Sequence, residues 1–180
     1  MSTKQGKLFE ADIEQSCKEQ KVFYHRIKDI FIPVALRQKV QVPINKYDSI
    51  IFYNGYLFPI EFKSTKQKSI SFSPKIIKTH QIQYLKEATE YEKTIPGFIF
   101  NFRIENNNST YFIHIDEFIA YKNATEGNDT KITYQSKINK SSIPLDICRE
   151  IGVEVKNVKK EVRYRYYIND LCKRLIAKYK

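Results

Sequence analysis

The chain has 180 residues, 42% of them hydrophobic, which is enough for one cored domain and too short for two full-sized ones. Its 31 Lys and Arg against 20 Asp and Glu give a net charge of +11, which points to a polyanionic partner, either nucleic acid or an anionic membrane surface. No apolar run approaches the roughly 18–20 residues that span a bilayer, no signal-peptide pattern opens the chain, and Cys17, Cys148 and Cys172 fit neither a disulfide framework nor a zinc site. A cytoplasmic protein with buried free thiols and no membrane partner is the expectation.

In chain order, residues from about Leu8 to Glu19 read as a helix, with Phe9, Ile13 and Cys17 on one stripe. Val22 to Ile27 is short, aromatic and β-branched, and reads as a strand. Ile32 to Lys46, broken by Pro33 and Pro43, carries Arg37, Lys39 and Lys46 without a carboxylate and reads as an extended or protruding segment. Next come two aromatic, β-branched runs, Tyr47 to Tyr53 and Tyr56 to Lys63, joined by Asn54-Gly55, which is a strong short-range hairpin signature. A Ser- and Lys-rich loop leads to a helix over about Ile76 to Tyr91, then to strands at Gly97–Ile104 and Thr110–Ile115 joined by a polar turn. Residues 121–143 read as a polar surface loop, followed by a short helix near Pro144–Glu150, a strand near Val153–Val155 and a basic helix from about Tyr167. This order predicts an α/β fold, a mixed β-sheet flanked by helices.

The hairpin fixes a pair of acids by counting. A two-residue turn sets Tyr53 opposite Tyr56, and the same register sets Asp48 opposite Glu61 at a non-hydrogen-bonded site, where Cα atoms approach to roughly 4.5 Å. Lys63, two residues past Glu61, projects from the same face. Like charges directly opposed destabilise a hairpin, and the apolar neighbours Ile50 and Leu57 raise the cost. A divalent cation compensates, and hard oxygen ligands favour Mg²⁺ or Mn²⁺, with the Phe62 backbone carbonyl as a further ligand. Such a site suits phosphoryl hydrolysis, with Lys63 orienting the water or neutralising developing charge. Glu-x-Lys alone is nearly uninformative here, since it occurs three times; only the copy at 61–63 ends a strand with an acid opposite. The competing structural reading makes Lys63 a simple bridge between two carboxylates.

Glu10 sits at the edge of the first helix's apolar stripe, either aimed at the sheet as a ligand or solvated like an ordinary helix glutamate. Gln81 falls where Ile77, Tyr84, Leu85 and Ala88 predict an apolar side chain, so it is either a phosphate- or water-binding amide or a satisfied core amide. Charge gathers in two places: six lysines without a carboxylate from Lys63 to Lys86, including Lys66, Lys68, Lys75 and Lys78, and nine Lys and Arg against two acids from Lys156 to Lys180. In the second stretch Arg163 and Arg165 alternate with tyrosines, a pattern suited to nucleic-acid backbone contacts.

With Asp48, the thirteen-residue step to Glu61, and Lys63, the chain resembles the PD-(D/E)XK nuclease superfamily. Its surroundings, through Ser71-Phe72-Ser73, His80-Gln81-Ile82, Gly97–Phe100 and Tyr111–Ile113, resemble RecU-type Holliday junction resolvases. The resemblance implies a restriction-endonuclease-like fold over residues 1–180 and a homodimer that cleaves four-way DNA junctions by paired symmetrical nicks with Mg²⁺. It implies Asp48 and Glu61 as metal ligands, Lys63 as the catalytic lysine, Glu10 as the first-helix acid and Gln81 as the helix glutamine. It also implies a stalk before the catalytic aspartate, for which residues 32–46 stand in place, with Arg37 and Lys39 as junction contacts, and it makes a recombinase a candidate partner. Tyr47 departs from the Pro or Thr usual before that aspartate. Two other readings compete: a restriction or repair nuclease on linear duplex, and a non-catalytic DNA- or membrane-binding module.

Overall fold

A computed structural model of the chain describes residues 4–28, 33–36, 45–105, 107–127 and 132–180. Helix α1 (Lys4–Glu19) begins a turn before its predicted start and buries Phe9, Ile13 and Cys17 together with Asp12 and Ser16. After β1 (Phe23–Arg26), the expected protruding segment falls largely outside the described residues, and Arg37 and Lys39 with it. Strands β2 (Ser49–Tyr53) and β3 (Tyr56–Thr65) pair in the predicted register, from Tyr53 opposite Tyr56 to Ser49 opposite Ile60. Asn54 and Gly55 both take positive φ, 49° and 79°, as a two-residue hairpin turn of the right twist requires. Pro59 lies opposite Ile50 at a non-hydrogen-bonded position, so its missing N–H costs the hairpin nothing.

Strand β4 (Ser69–Ser71) leads into α2 (Thr79–Ala88), and the chain crosses to β5 (Gly97–Ile104), which runs parallel to β3. The antiparallel β6 (Asn107–His114) continues directly into α3 (Ile115–Thr125). Strand β7 (Ser142–Pro144) pairs with β4, and α4 (Leu145–Ile151), β8 (Val153–Glu154), the hairpin β9 (Asn157–Lys159) and β10 (Tyr164–Tyr166), and α5 (Ile168–Tyr179) follow. The central sheet has six strands in the order β1-β2-β3-β5-β6-β8, antiparallel except for the β3–β5 pair. It is the mixed sheet flanked by helices that the element order predicts.

Alternation along the strands sorts side chains onto two faces. Phe58, Ile60, Phe62 and Ile99 pack with Phe9, Ile13 and Cys17 of α1 and with Leu171, Cys172 and Leu175 of α5. On the other face, Phe98, Phe100, Phe102 and Ile113 pack with Leu85 of α2, Phe118 and Tyr121 of α3, and Ile147 of α4. All three cysteines are free and buried, and burial pushes each thiol up in pKa.

Three expectations are corrected. The loop expected from residue 121 begins only after α3, whose Ile115, Phe118, Tyr121 and Thr125 are buried at helical spacing and whose N-terminus is capped by His114 Nδ1, accepting from the Asp116 amide at 3.2 Å. Strand β6 starts at Asn107, inside the expected turn, because Asn108 bonds to Asn101, Asn157 and Tyr166. The helix expected over 76–91 is confined to Thr79–Ala88, since the amides of Ile76 and Ile77 turn back onto the Ser73 carbonyl.

Candidate active site

The hairpin strands are unequal. β3 has ten residues and β2 five, so beyond Ile60 the β2-facing edge of β3 is open. The amide of Phe62 would be left without a strand partner there, and Asp48 Oδ2 accepts it at 2.9 Å. The Asp48 carbonyl in turn accepts the Ile27 amide at 3.0 Å, so the residue is held from both sides. A strand residue sends its N–H and C=O to the same side. The Phe62 carbonyl therefore shares this edge with the Asp48 carboxylate, while Glu61 and Lys63 project from the face covered by α2.

Glu61 is 2% exposed. Its Oε2 accepts from Lys63 Nζ at 3.1 Å and from Gln81 Nε2 at 2.5 Å. Gln81 is buried on the first turn of α2, and its Oε1 accepts the Lys78 amide at 3.1 Å, which fixes the orientation of the side-chain amide. Of the two readings open for Gln81 in the sequence, the structure aims it at an acid of the site. α2 is itself fastened to the chain entering Asp48. Lys46 Nζ meets Glu87 Oε1 at 2.9 Å, and the Tyr47 hydroxyl donates to the Tyr84 carbonyl at 3.3 Å.

Lys63 pairs with Glu61 at 3.1 Å, yet the acid is not left at its ordinary strength. Burial, and then the charge of Asp48, push Glu61 up to about 8, against the opposing pull of Lys63. Lys63 offsets that rise only in part, so a further cation would favour the ionised carboxylate. The donor set fits a small hard cation. Among the described residues no group of three or more His, Cys, Asp and Glu gathers to hold a metal, and what the edge offers is two carboxylates and a backbone carbonyl. That suits Mg²⁺, which is commonly held by one or two carboxylates and keeps several waters.

A cleft of about 430 Å³ opens on this edge, lined by Asp48, Phe62, Lys63 and Gln81 and by Phe9 and Glu10 of α1. Glu10 faces the cleft but is ion-paired to Arg26 of β1, a residue that sequence reasoning missed. The only sequence signal for Arg26 is that it closes a strand pairing with β2, opposite Ser49 and beside Asp48. Lys75 and Lys78 line the cleft, and Lys66 and Lys68 are exposed on the loop carrying its lining residues Thr65, Gln67 and Ser69. Arg163 and Arg165 lie elsewhere, ion-paired to Asp12 at 2.6 Å and to Glu19 at 2.9 Å.

The profile of the family described as "Recombination protein U" matches residues 4–161. The chain is 56% identical over 174 residues to the SPbeta prophage-derived uncharacterized protein YotM of Bacillus subtilis (strain 168), a match covering 97% of this chain and 88% of that protein. The chain belongs to the RecU family. Among solved structures, a likeness is found to Hjc of Archaeoglobus fulgidus, a Holliday junction resolvase from an archaeal hyperthermophile. It has a TM-score of 0.48 and 12% identity, and covers 83% of this chain and 95% of that one. The family assignment rests on the profile.

Proposed function

We propose that this chain is a structure-selective endodeoxyribonuclease that resolves four-way DNA junctions in recombination and repair, acting as a homodimer with Mg²⁺ or Mn²⁺. RecU family membership supports the resolvase role. The observation that carries the chemistry is the buried Glu61 beside Asp48 at an open strand edge, raised by burial and by the Asp48 charge although Lys63 pairs with it. Asp48, Glu61 and the Phe62 carbonyl would hold the cation, which supplies charge for activating water and for stabilising the leaving oxygen of a phosphodiester.

The chain's own residues do the rest. Gln81 and Lys63 both donate to Glu61 Oε2, fixing the carboxylate's rotation so that its other oxygen is the one offered to a cation. Lys63, half-buried, keeps an ammonium beside the position of the scissile phosphate, where negative charge grows in the transition state. Lys66, Lys68, Lys75 and Lys78 draw the DNA backbone onto the cleft. Glu10, paired with Arg26, closes the cleft from α1. One copy carries one such site, and two nicks related by the two-fold axis of a junction call for two copies.

Incubating the purified protein with end-labelled four-way junctions and Mg²⁺ tests this. Paired symmetrical nicks that vanish in Asp48→Asn are the expected result. Equal cutting of plain duplex would overturn junction selectivity, and no cutting with any divalent metal would overturn the nuclease reading.

A further inference from the structure

We propose that the β9–β10 hairpin, together with the first turns of α1, is a second nucleic-acid surface that seats a double-stranded arm as it leaves the cleft. This rests on the junction-binding reading above. The hairpin tip is closed by the Lys160 amide donating to the Arg163 carbonyl at 2.8 Å, and it presents Val162, 81% exposed, beside the exposed Lys159 and Lys160. A single exposed valine is ordinary on any surface. This one stands at the end of a hairpin that is bolted down along its length.

Arg163 Nε donates to the buried carboxylate of Asp12 at 2.6 Å, and its Nη2 to the Leu8 carbonyl at 3.3 Å. Arg165 Nε reaches Glu19 at 2.9 Å, the Tyr166 amide donates to Ser16 Oγ at 3.0 Å, and Gln20 Nε2 donates to the Tyr166 carbonyl at 2.6 Å. The Arg103 guanidinium covers the Tyr164 ring at 5.4 Å. A mobile tip would need none of this.

The anchoring also sets the location. The α1 turn gripped by Arg163 is the one whose Phe9 and Glu10 wall the cleft, and the same helix exposes Lys4 and Lys7. From Lys4 to Asp12 the helix runs about 12 Å, the length of three to four base-pair steps. Helix α1, with the exposed Lys4 and Lys7, thus joins the cleft, lined by Lys75 and Lys78, to the hairpin that exposes Lys159 and Lys160. A fixed apolar tip beside two lysines suits a duplex groove, with phosphates at its margin and base edges or an opened step at the valine. Glu161 shares the tip and opposes that contact, which makes it a useful reporter.

The test measures junction affinity against salt concentration in an Asp48→Asn background, on junctions with arms of about ten base pairs and on junctions trimmed to about three. On long arms, Lys159→Ala with Lys160→Ala should flatten the plot of log affinity against log salt by about 1.8, near 0.9 for each phosphate that is no longer neutralised. Val162→Asp should weaken binding there, Glu161→Lys should tighten it, and all variants should match their parent on trimmed arms. Unchanged slope and affinity on long arms, equal losses on both lengths, or capture of the tip by phosphatidylserine vesicles in preference to DNA would overturn the proposal. Its fate is separable from that of the nuclease reading. A protein that shows the arm-length effect but never cuts keeps this surface and loses the catalytic assignment, and the converse result does the reverse.

Discussion

Among the described residues two acids are almost wholly buried, on opposite sides of the sheet, and they are treated differently. Asp12 of α1, 1% exposed, receives Arg103 Nη2 at 3.1 Å on one oxygen and Arg163 Nε at 2.6 Å on the other. Its charge is matched twice over by groups with fixed geometry, and it ties β5 and the β9–β10 hairpin to the first helix. Glu61 has one ammonium and one neutral amide on a single oxygen, and a second carboxylate close by. A buried charge that is over-matched builds structure; one left under-matched is poised for a ligand.

The largest expected effect breaks the Glu61 side. Asp48→Asn or Glu61→Gln should lower junction cleavage by about a thousandfold or more, the scale of losing a principal electrostatic contribution to a transition state. Junction affinity in gel-shift titrations should hold or improve, since negative charge has been removed where phosphate arrives. Loss of binding in step with cleavage would contradict the assignment.

Breaking the other side should cost stability instead. Asp12→Ala leaves two guanidinium groups without their carboxylate and should destabilise the fold by about 2–4 kcal/mol, the usual figure being reduced because Arg163 is partly exposed. Urea midpoints measure this, and a shift near zero would erase the distinction between the two acids. Gln81→Ala is smaller in scope. Freeing Glu61 to rotate should lower cleavage by about 10–100-fold while leaving the urea midpoint nearly in place, as for other groups that orient a ligand.

The subtlest expectation concerns pH. Glu61 has a folded-state pKa near 8, above its ordinary value of 4.5, so the folded protein binds the extra proton between these values. Stability of the metal-free protein from this group is then full below about 4.5 and declines as pH rises toward about 8. Melting temperatures should show that component in the wild type and lack it in Glu61→Gln. Because a cation must displace the same proton, the stabilisation conferred by Mg²⁺ should grow from pH 6.5 to pH 8.5, and chelation should abolish it. An Mg²⁺ effect independent of pH would show that Glu61 is not a ligand.

What could be read from residues alone was what short-range geometry fixes. Asn54-Gly55 set the hairpin and its register, and the stripe of Phe9, Ile13 and Cys17 set the inner face of α1. Helix α3 was legible in principle from Ile115, Phe118 and Tyr121, but its mixed outer face hid the period. The β9–β10 hairpin was not legible as a strand pair, because Tyr164-Arg165-Tyr166 alternates as both a strand and a binding tract would. Only its partners show that the tyrosines face inward and that the arginines are tied to α1. Arg26 gave no sign beyond its place at the end of the first strand.

The sequence by itself determined the β2–β3 register, from Tyr53 opposite Tyr56 to Ser49 opposite Ile60, because a two-residue turn fixes pairing by counting. Only the tertiary structure decided which buried acid is satisfied. The cations of Asp12 come from 91 and 151 residues away, and the amide that orients Glu61 from 20 residues away on another element. Charge balance in a low-dielectric interior depends on distances through space, and spacing along the chain does not record them.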